Sequence, residues 1–354
     1  MADRYWVGGT ATWDATAGTK WATTSGGAGG ASVPTAADDV FFDANSGTGT
    51  VSIATGNTGA KSINCTGFTG TLGGSAAISV AGSVTLVNAM GFTYTGGLTI
   101  TGSGTLTSAG KTFSGGGITI NGTGITVDLG DAVSTAFNLV VTAGTFTTNN
   151  FNVTAQSLSS TNSNTRTINL GSSTVTLTGA ATVLSFATNT NLTFNAGTST
   201  IVCTSTNANI IGGAAGGTGV TFYNVSYTAT TAGSNGLITS TNTFNNLSFT
   251  GSSSAGVRSV TFDSNQTING TLSTTGTAGN RRVFFASNTY GVRRTLTVNS
   301  APSLTDADFR DIIVLGTAAP ISGTRIAIVT GKQWTYRDWE TDRKSTRLNS
   351  SHRL

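Results

Sequence analysis

Ala76-Ala77-Ile78-Ser79-Val80-Ala81-Gly82-Ser83, Gly96-Gly97-Leu98-Thr99-Ile100-Thr101-Gly102-Ser103 and Gly116-Gly117-Ile118-Thr119-Ile120-Asn121-Gly122-Thr123 align without gaps at a spacing of 20 residues. A looser fourth copy, Leu139-Val140-Val141-Thr142-Ala143-Gly144, follows 21 residues later. Further along, Asn224-Val225-Ser226-Tyr227-Thr228 and Asn246-Leu247-Ser248-Phe249-Thr250 stand 22 apart. A fixed period of this size marks a solenoid, in which each repeat buries its apolar face only by stacking on its neighbours. Within a copy, aliphatic and hydroxyl residues alternate, so the aliphatics point inward and the Thr outward along a short strand. Gly, Asn and Ser between the strands supply corners where positive φ is tolerated. The expectation is an all-β, right-handed parallel β-helix of about 20 to 22 residues per turn and on the order of 12 turns. Ile78, Leu98 and Ile118 should form one interior column, and Val80, Ile100 and Ile120 another. A β-sandwich also has many short Gly-bounded strands, but it does not predict a gapless 20-residue register.

Composition agrees with a β-solenoid. Of 354 residues only 9% are charged, against about 25% in ordinary globular chains, while 37% are hydrophobic and Gly reaches 48. The surface is therefore solvated by hydroxyls and amides. Coiled coils and helical bundles are excluded, and three prolines exclude collagen and Pro-rich linkers. No apolar run approaches the roughly 18 residues of a transmembrane helix, so no membrane insertion is expected.

The formal charge of +4 depends on the last residues. Residues 342–352 read DRKSTRLNSSH, which resembles translated sequencing-adapter DNA, as at the contig end of a metagenomic reading frame. Residues 342–354 are accordingly expected to be foreign to the fold and removable without loss of stability. Residues 327–341 are set apart too, because Trp334, Trp339 and Glu340 break with the composition upstream. Up to Thr341 there are 14 Lys and Arg against 13 Asp and Glu, and no nucleic-acid partner is indicated by charge. The only His, His352, and the only Glu, Glu340, lie in this terminal stretch, so the body offers no Ser-His-Asp triad, Cys-His pair or His-ligated zinc. Cys65 and Cys203, 138 positions apart with no CxxC spacing, read as small buried hydrophobes. Met1 to Trp6 run into Gly-rich sequence without an apolar signal region, so assembly in the cytosol or export without an N-terminal signal is expected.

Four parts follow: an aromatic, Gly-rich module at 1–46, a repeat body at 47–300, a terminal segment at 301–326, and a stretch set apart at 327–354, of which 342–354 is read as adapter-derived. Solenoid ends expose strand edges that must be covered, and Tyr5, Trp6, Trp13, Trp21, Phe41 and Phe42 suit an N-terminal cap. The run Tyr5-Trp6-Val7-Gly8-Gly9, Trp13-Asp14, Trp21, Val33-Pro34 and Asp38-Asp39-Val40-Phe41-Phe42-Asp43 resembles the opening of phage and bacterial surface proteins of β-helix type, tail-fibre-like virion proteins among them. Ser303-Leu304-Thr305-Asp306-Ala307-Asp308-Phe309-Arg310-Asp311-Ile312 resembles the segment that follows the repeats in those proteins. The resemblance implies a non-enzymatic structural or adhesive rod located on a virion or the extracellular surface. Its expected partners are a cell-surface glycan or receptor, other virion proteins and its own copies in a homotrimer, with no cofactor. The alternatives are a carbohydrate-active β-helix enzyme, disfavoured by the missing His and Glu, and a secreted bacterial adhesin, disfavoured by the missing signal.

Three clusters are candidate sites. Asp128 and Asp131 are the only carboxylates between Asp43 and Asp263, and two acids about 5 to 9 Å apart are the minimum for glycoside hydrolysis; Gly130-Asp131 is also ordinary turn chemistry. Only Lys111 and Arg166 stand near in sequence to assist them. Asp38, Asp39 and Asp43 with Asp14 could supply oxygens to Ca2+, though no known calcium loop is present. Arg281, Arg282, Arg293 and Arg294 flank an aromatic stretch, so they could bind an anionic glycan or phosphate, or serve as solvated charges that discourage edge pairing. The glycines at 212–213 and 216–217 lack the Lys-Ser or Lys-Thr of a phosphate loop.

Overall fold

A computed structural model of the protein describes residues 2–276 and 280–329. The expected tail at 342–354, with Trp334, Trp339, Glu340 and His352, lies outside them. The described chain is all-β with no α-helix, and therefore no helix long and apolar enough to cross a membrane. Parallel strands stack into a β-solenoid of about 12 turns. At about 4.8 Å per rung this gives a stack roughly 55 to 60 Å long.

The strands collect into sheets of 20, four and 11 strands that wrap one core. The largest sheet contributes two faces of the coil. One strand, Ile118–Leu129, pairs through Ile118 to Ile120 with Leu98–Ile100 and through Val127 to Leu129 with Gly104–Thr107, with irregular register between.

The repeat register is the one the sequence sets. Leu98 pairs with Ile78 below and Ile118 above, and Ile100 with Val80 and Ile120. The first column continues through Leu139, Leu158, Leu184, Ile210 and Ile238 to Phe262. All nine side chains are buried. On the 11-stranded sheet Asn224 to Tyr227 pair with Asn246 to Phe249, as their 22-residue offset requires. Glycine at the corners is partly a matter of space: a Cβ on Gly102 would lie 1.7 Å from the Ala81 carbonyl oxygen one coil earlier.

Beyond residue 160 the period varies, staying at 22 from Asn224 to Asn246 but lengthening elsewhere. Paired residues are 26 apart from Leu158 to Leu184, 28 from Ile210 to Ile238 and 30 from Ile268 to Val298. Added residues lie at corners such as 186–191, 212–217 and 288–293. Corners protrude freely, whereas an added strand residue would turn every following side chain to the other face.

Both ends of the described residues join the stack. Asp3–Trp6 and Ala11–Trp13 pair in parallel with Asp39–Phe41 and Thr50–Ile53, and the two-residue strand Trp21–Ala22 lies antiparallel against Asp3–Trp6. At the other end Ala307–Arg310 and Ile312–Leu315 extend the two long sheets, and Ala327–Val329 pairs with Ala307–Arg310.

Candidate functional site

The N-terminal aromatics divide between two sides of the sheet. Trp6, Trp13, Trp21 and Phe42 are buried, with Trp6 and Trp13 edge-on to Trp21 at 5.0 and 5.3 Å. Phe42 lies 6.0 to 6.2 Å from all three rings. Tyr5 and Phe41 do not join this cluster. They pair in register on the outer face and stack on each other at 4.7 Å, because their buried neighbours Trp6 and Phe42 take the inward positions.

The acidic residues of this module do not assemble a cation site. Asp14 accepts from Lys20 Nζ at 2.8 Å and from Thr12 Oγ1 and the Thr16 amide at 2.7 Å, and these bonds, Lys20's first, hold its carboxyl well below the usual range. Burial pushes Asp38 up, but bonds from Thr35 and the Ala2 amide outweigh it and lower it overall. Asp39 is likewise lowered against burial, by Lys61 and Ser62. Asp43 caps the short 3-10 helix Ala44–Ser46. Each carboxylate has its own partners, and no group of three or more His, Cys, Asp or Glu converges among the described residues.

Asp128 and Asp131 also serve different neighbours. Asp131 Oδ1 and Oδ2 accept from the Ser108 and Ala109 amides, one coil earlier, at 2.7 and 2.5 Å. Asp128 stands half-exposed on the outer face, in register with Thr105 and Thr147. Neither nearby cation turns toward them. Lys111 donates to the Asn88 and Met90 carbonyls at 2.9 and 2.7 Å, and Arg166 points into the coil.

Arg166 is one of two buried arginines, a feature that the sequence reading did not find. It donates to Ser160 Oγ at 2.7 Å, to the Asn164 and Thr190 carbonyls at 2.6 and 2.8 Å, to the Ser160 carbonyl at 3.3 Å and to the Thr188 carbonyl. Arg258 reaches across the core to the carbonyls of Tyr227, Ala229 and Thr250 through Nη1 alone. Its Nε and Nη2 have no hydrogen-bond partner, nor has the Tyr227 hydroxyl below its guanidinium. Cys65 and Cys203 are free and buried, and burial pushes both thiols up to about 12.

The four arginines of the C-terminal candidate are not equivalent. Arg282 forms a bidentate pair with Asp308, Nε and Nη2 lying 2.5 and 2.6 Å from its oxygens, and its Nη1 lies 3.6 Å from Asp306. Asp306 is fully buried and also takes Arg325 at 2.5 and 2.7 Å, whose hydrogen bond lowers its carboxyl below the usual range against the effect of burial. Arg281 leads the same strand, Arg281–Ser287. Arg293 is exposed on the corner, and Arg294 Nε is buried without a hydrogen-bond partner. The arginine that meets the aromatics is Arg310, one coil further on. Its guanidinium lies 5.4 Å from the Phe284 ring centroid and 5.5 Å from that of Tyr290. Tyr290 is 71% exposed, the most exposed of the large hydrophobic side chains described. The alternation Asp308, Arg310 marks one outer strand face in the sequence, but a 20- to 22-residue period does not bring it against Arg282 and Phe284.

In comparisons with known proteins the chain matches no family model, no curated protein and no solved structure.

Proposed function

We propose that the protein is a non-enzymatic rod, structural or adhesive, of the tail-fibre-like kind found on virions or cell surfaces. The observation that carries this reading is the unbroken interior column from Ile78 to Phe262, nine rungs in register under an outer surface of Thr, Ser and Asn. A stack in which each coil is held by its neighbours transmits load along its axis and needs no moving part. The buried Trp6, Trp13, Trp21 and Phe42 cluster beneath a two-residue antiparallel edge strand supports a capping role for the N-terminal module, since a short edge is a poor template for end-to-end pairing. Copies in a homotrimer would multiply weak surface contacts into avidity.

The test combines binding with turnover. Full-length protein is offered to bacterial cells and to their purified surface polysaccharides, and reducing ends and unsaturated uronate are followed. Retention on cells or glycans without product supports the rod. Product formation that disappears in Asp128→Asn with Asp131→Asn overturns it in favour of an enzyme.

A further inference from the structure

Charge is unevenly distributed along the coil. Residues 2–276 carry six Lys and Arg against eight Asp, whereas residues 280–329 carry six Arg against three Asp. Residues 280–329 therefore hold a surplus of three positive charges, whereas residues 2–276 are slightly acidic. Such a surplus draws anionic partners and disfavours cationic ones.

Among the described residues most of the C-terminal acid is already committed. Asp308 is held by Arg282, and Asp306 by Arg325 and Arg282. Asp311 Oδ2 accepts from the Gly291 amide at 3.1 Å and is 3.5 Å from Arg310 Nε, too long for a strong ion pair. Among the described residues the only other acceptor for the Arg310 guanidinium is the Ser287 carbonyl at 3.3 Å. Its nearest strong neighbours are two rings. Aromatic faces attract a guanidinium through their quadrupole but take none of its N–H hydrogens, so in-plane donors remain for a planar anion. The Tyr290 ring stands out from the corner 288–293, which is fastened by the Gly291 amide to Asp311, by Val292 N to Thr289 O at 3.1 Å and by Arg294 N to Asp311 O at 2.9 Å. An exposed aromatic face on a fixed corner packs against the C–H side of a pyranose ring, whose hydrogens are electropositive toward the negative ring face.

We propose that Arg310 and Tyr290, with Phe284 beneath, form a binding site for the carboxylated sugars of an acidic polysaccharide. The guanidinium pairs with the sugar carboxylate and the phenol ring carries the pyranose. This inference rests on the adhesive reading above and gives it a ligand class.

Binding of the full chain to immobilised polygalacturonate, dextran and polyphosphate is measured by interferometry at fixed salt. The expected result is retention on polygalacturonate alone. Arg310→Gln or Tyr290→Ala should weaken it roughly tenfold or more, and Tyr290→Phe should restore it. Tyr290 is too exposed for its replacement to unfold the protein, so the test stands even if Arg310→Gln does not fold. Equal binding to dextran overturns the carboxylate while leaving the adhesive reading intact. Tighter binding to polyphosphate that uses the same residues makes the site one for phosphate, and overturns the sugar. Polygalacturonate binding that survives both substitutions places recognition elsewhere. No binding to any of the three polymers overturns the inference, and no binding to cells either removes the adhesive reading with it.

Discussion

The coils between residues 60 and 160 and those beyond share the 20-stranded sheet but close their corners differently. In the first region the coil is short and its corners are Gly, Asn and Ser, with Asp131 outside accepting two amides of the turn below. In the second, residues are added at the corners, and guanidinium groups inside the coil gather the carbonyls that the longer corners leave unpaired. Parallel ladders satisfy strand amides and carbonyls automatically, whereas a corner of six or seven residues does not. Coil length is thus a property of the corners, and at 186–191 the longer corner is held by a buried donor, Arg166.

The two buried arginines allow this account to be broken. Arg166 uses Nε, Nη1 and Nη2, whereas Arg258 uses only Nη1 and leaves two nitrogens unpaired. Arg166→Met removes the donors to the carbonyls of Ser160, Asn164, Thr188 and Thr190, and should destabilise by about 3 to 5 kcal/mol, since each buried acceptor left alone costs about 1 to 3. Arg258→Met strips the carbonyls of Tyr227, Ala229 and Thr250 of a donor but also removes two unpaired buried nitrogens, and should cost about 2 kcal/mol less than Arg166→Met. Chemical denaturation followed by fluorescence gives both values. Equal losses would mean that carbonyl capture is not what holds the long corners.

A second contrast concerns the C-terminal ion network, which the short coils lack. Asp306 has its carboxyl lowered in the folded protein by Arg325, so it contributes stability above the unfolded carboxylate value of 3.8 that is lost as pH falls through the folded value. Acid should therefore loosen the last coils before the aliphatic ones. Hydrogen exchange of segments 301–326 and 76–123 between pH 5 and pH 2.5 checks this, after correction for intrinsic rates. Protection at 301–326 should fall first, and Asp306→Asn should lower it at pH 5 and abolish its pH dependence. Parallel loss in both segments would refute a local latch.

These contrasts also separate what the sequence could reveal from what it could not. The columns Ile78-Leu98-Ile118 and Val80-Ile100-Ile120 were legible because a strand side chain has two choices of face and the copies repeat without gaps. Arg282 against Asp308 and Phe284 against Arg310 were not, because partners 26 residues apart fall outside a 20- to 22-residue period. Corner insertions change that interval without leaving a periodic trace. Arg166 illustrates a different limit: an isolated arginine between Thr165 and Thr167 reads as a surface charge beside Asp128 and Asp131, and only the long corner at 186–191 gives it a reason to turn inward. Tyr5 and Phe41 show a third limit: aromatic density does not say which rings face inward, and alternation along the strand assigns these two to the outer face.

The smallest expected effect lies in the short coils, at the two carboxylates once paired in sequence as a catalytic candidate. Asp131 is the mirror of Arg166: an acceptor outside the coil that ties down amides, where the arginine is a donor inside that ties down carbonyls. Asp131→Ala leaves the Ser108 and Ala109 amides to water and should cost about 1 to 2 kcal/mol, less than Arg166→Met, because solvent reaches an outer corner and replaces part of what is lost. Asp128, half-exposed between Thr105 and Thr147, has no such duty, and Asp128→Asn should stay within about 0.5 kcal/mol. Denaturation midpoints of the two variants, with hydrogen exchange over 105–112, separate them. A loss at Asp128 as large as that at Asp131 would give that outer carboxylate a role that corner geometry does not supply, and would return the pair to consideration as a site.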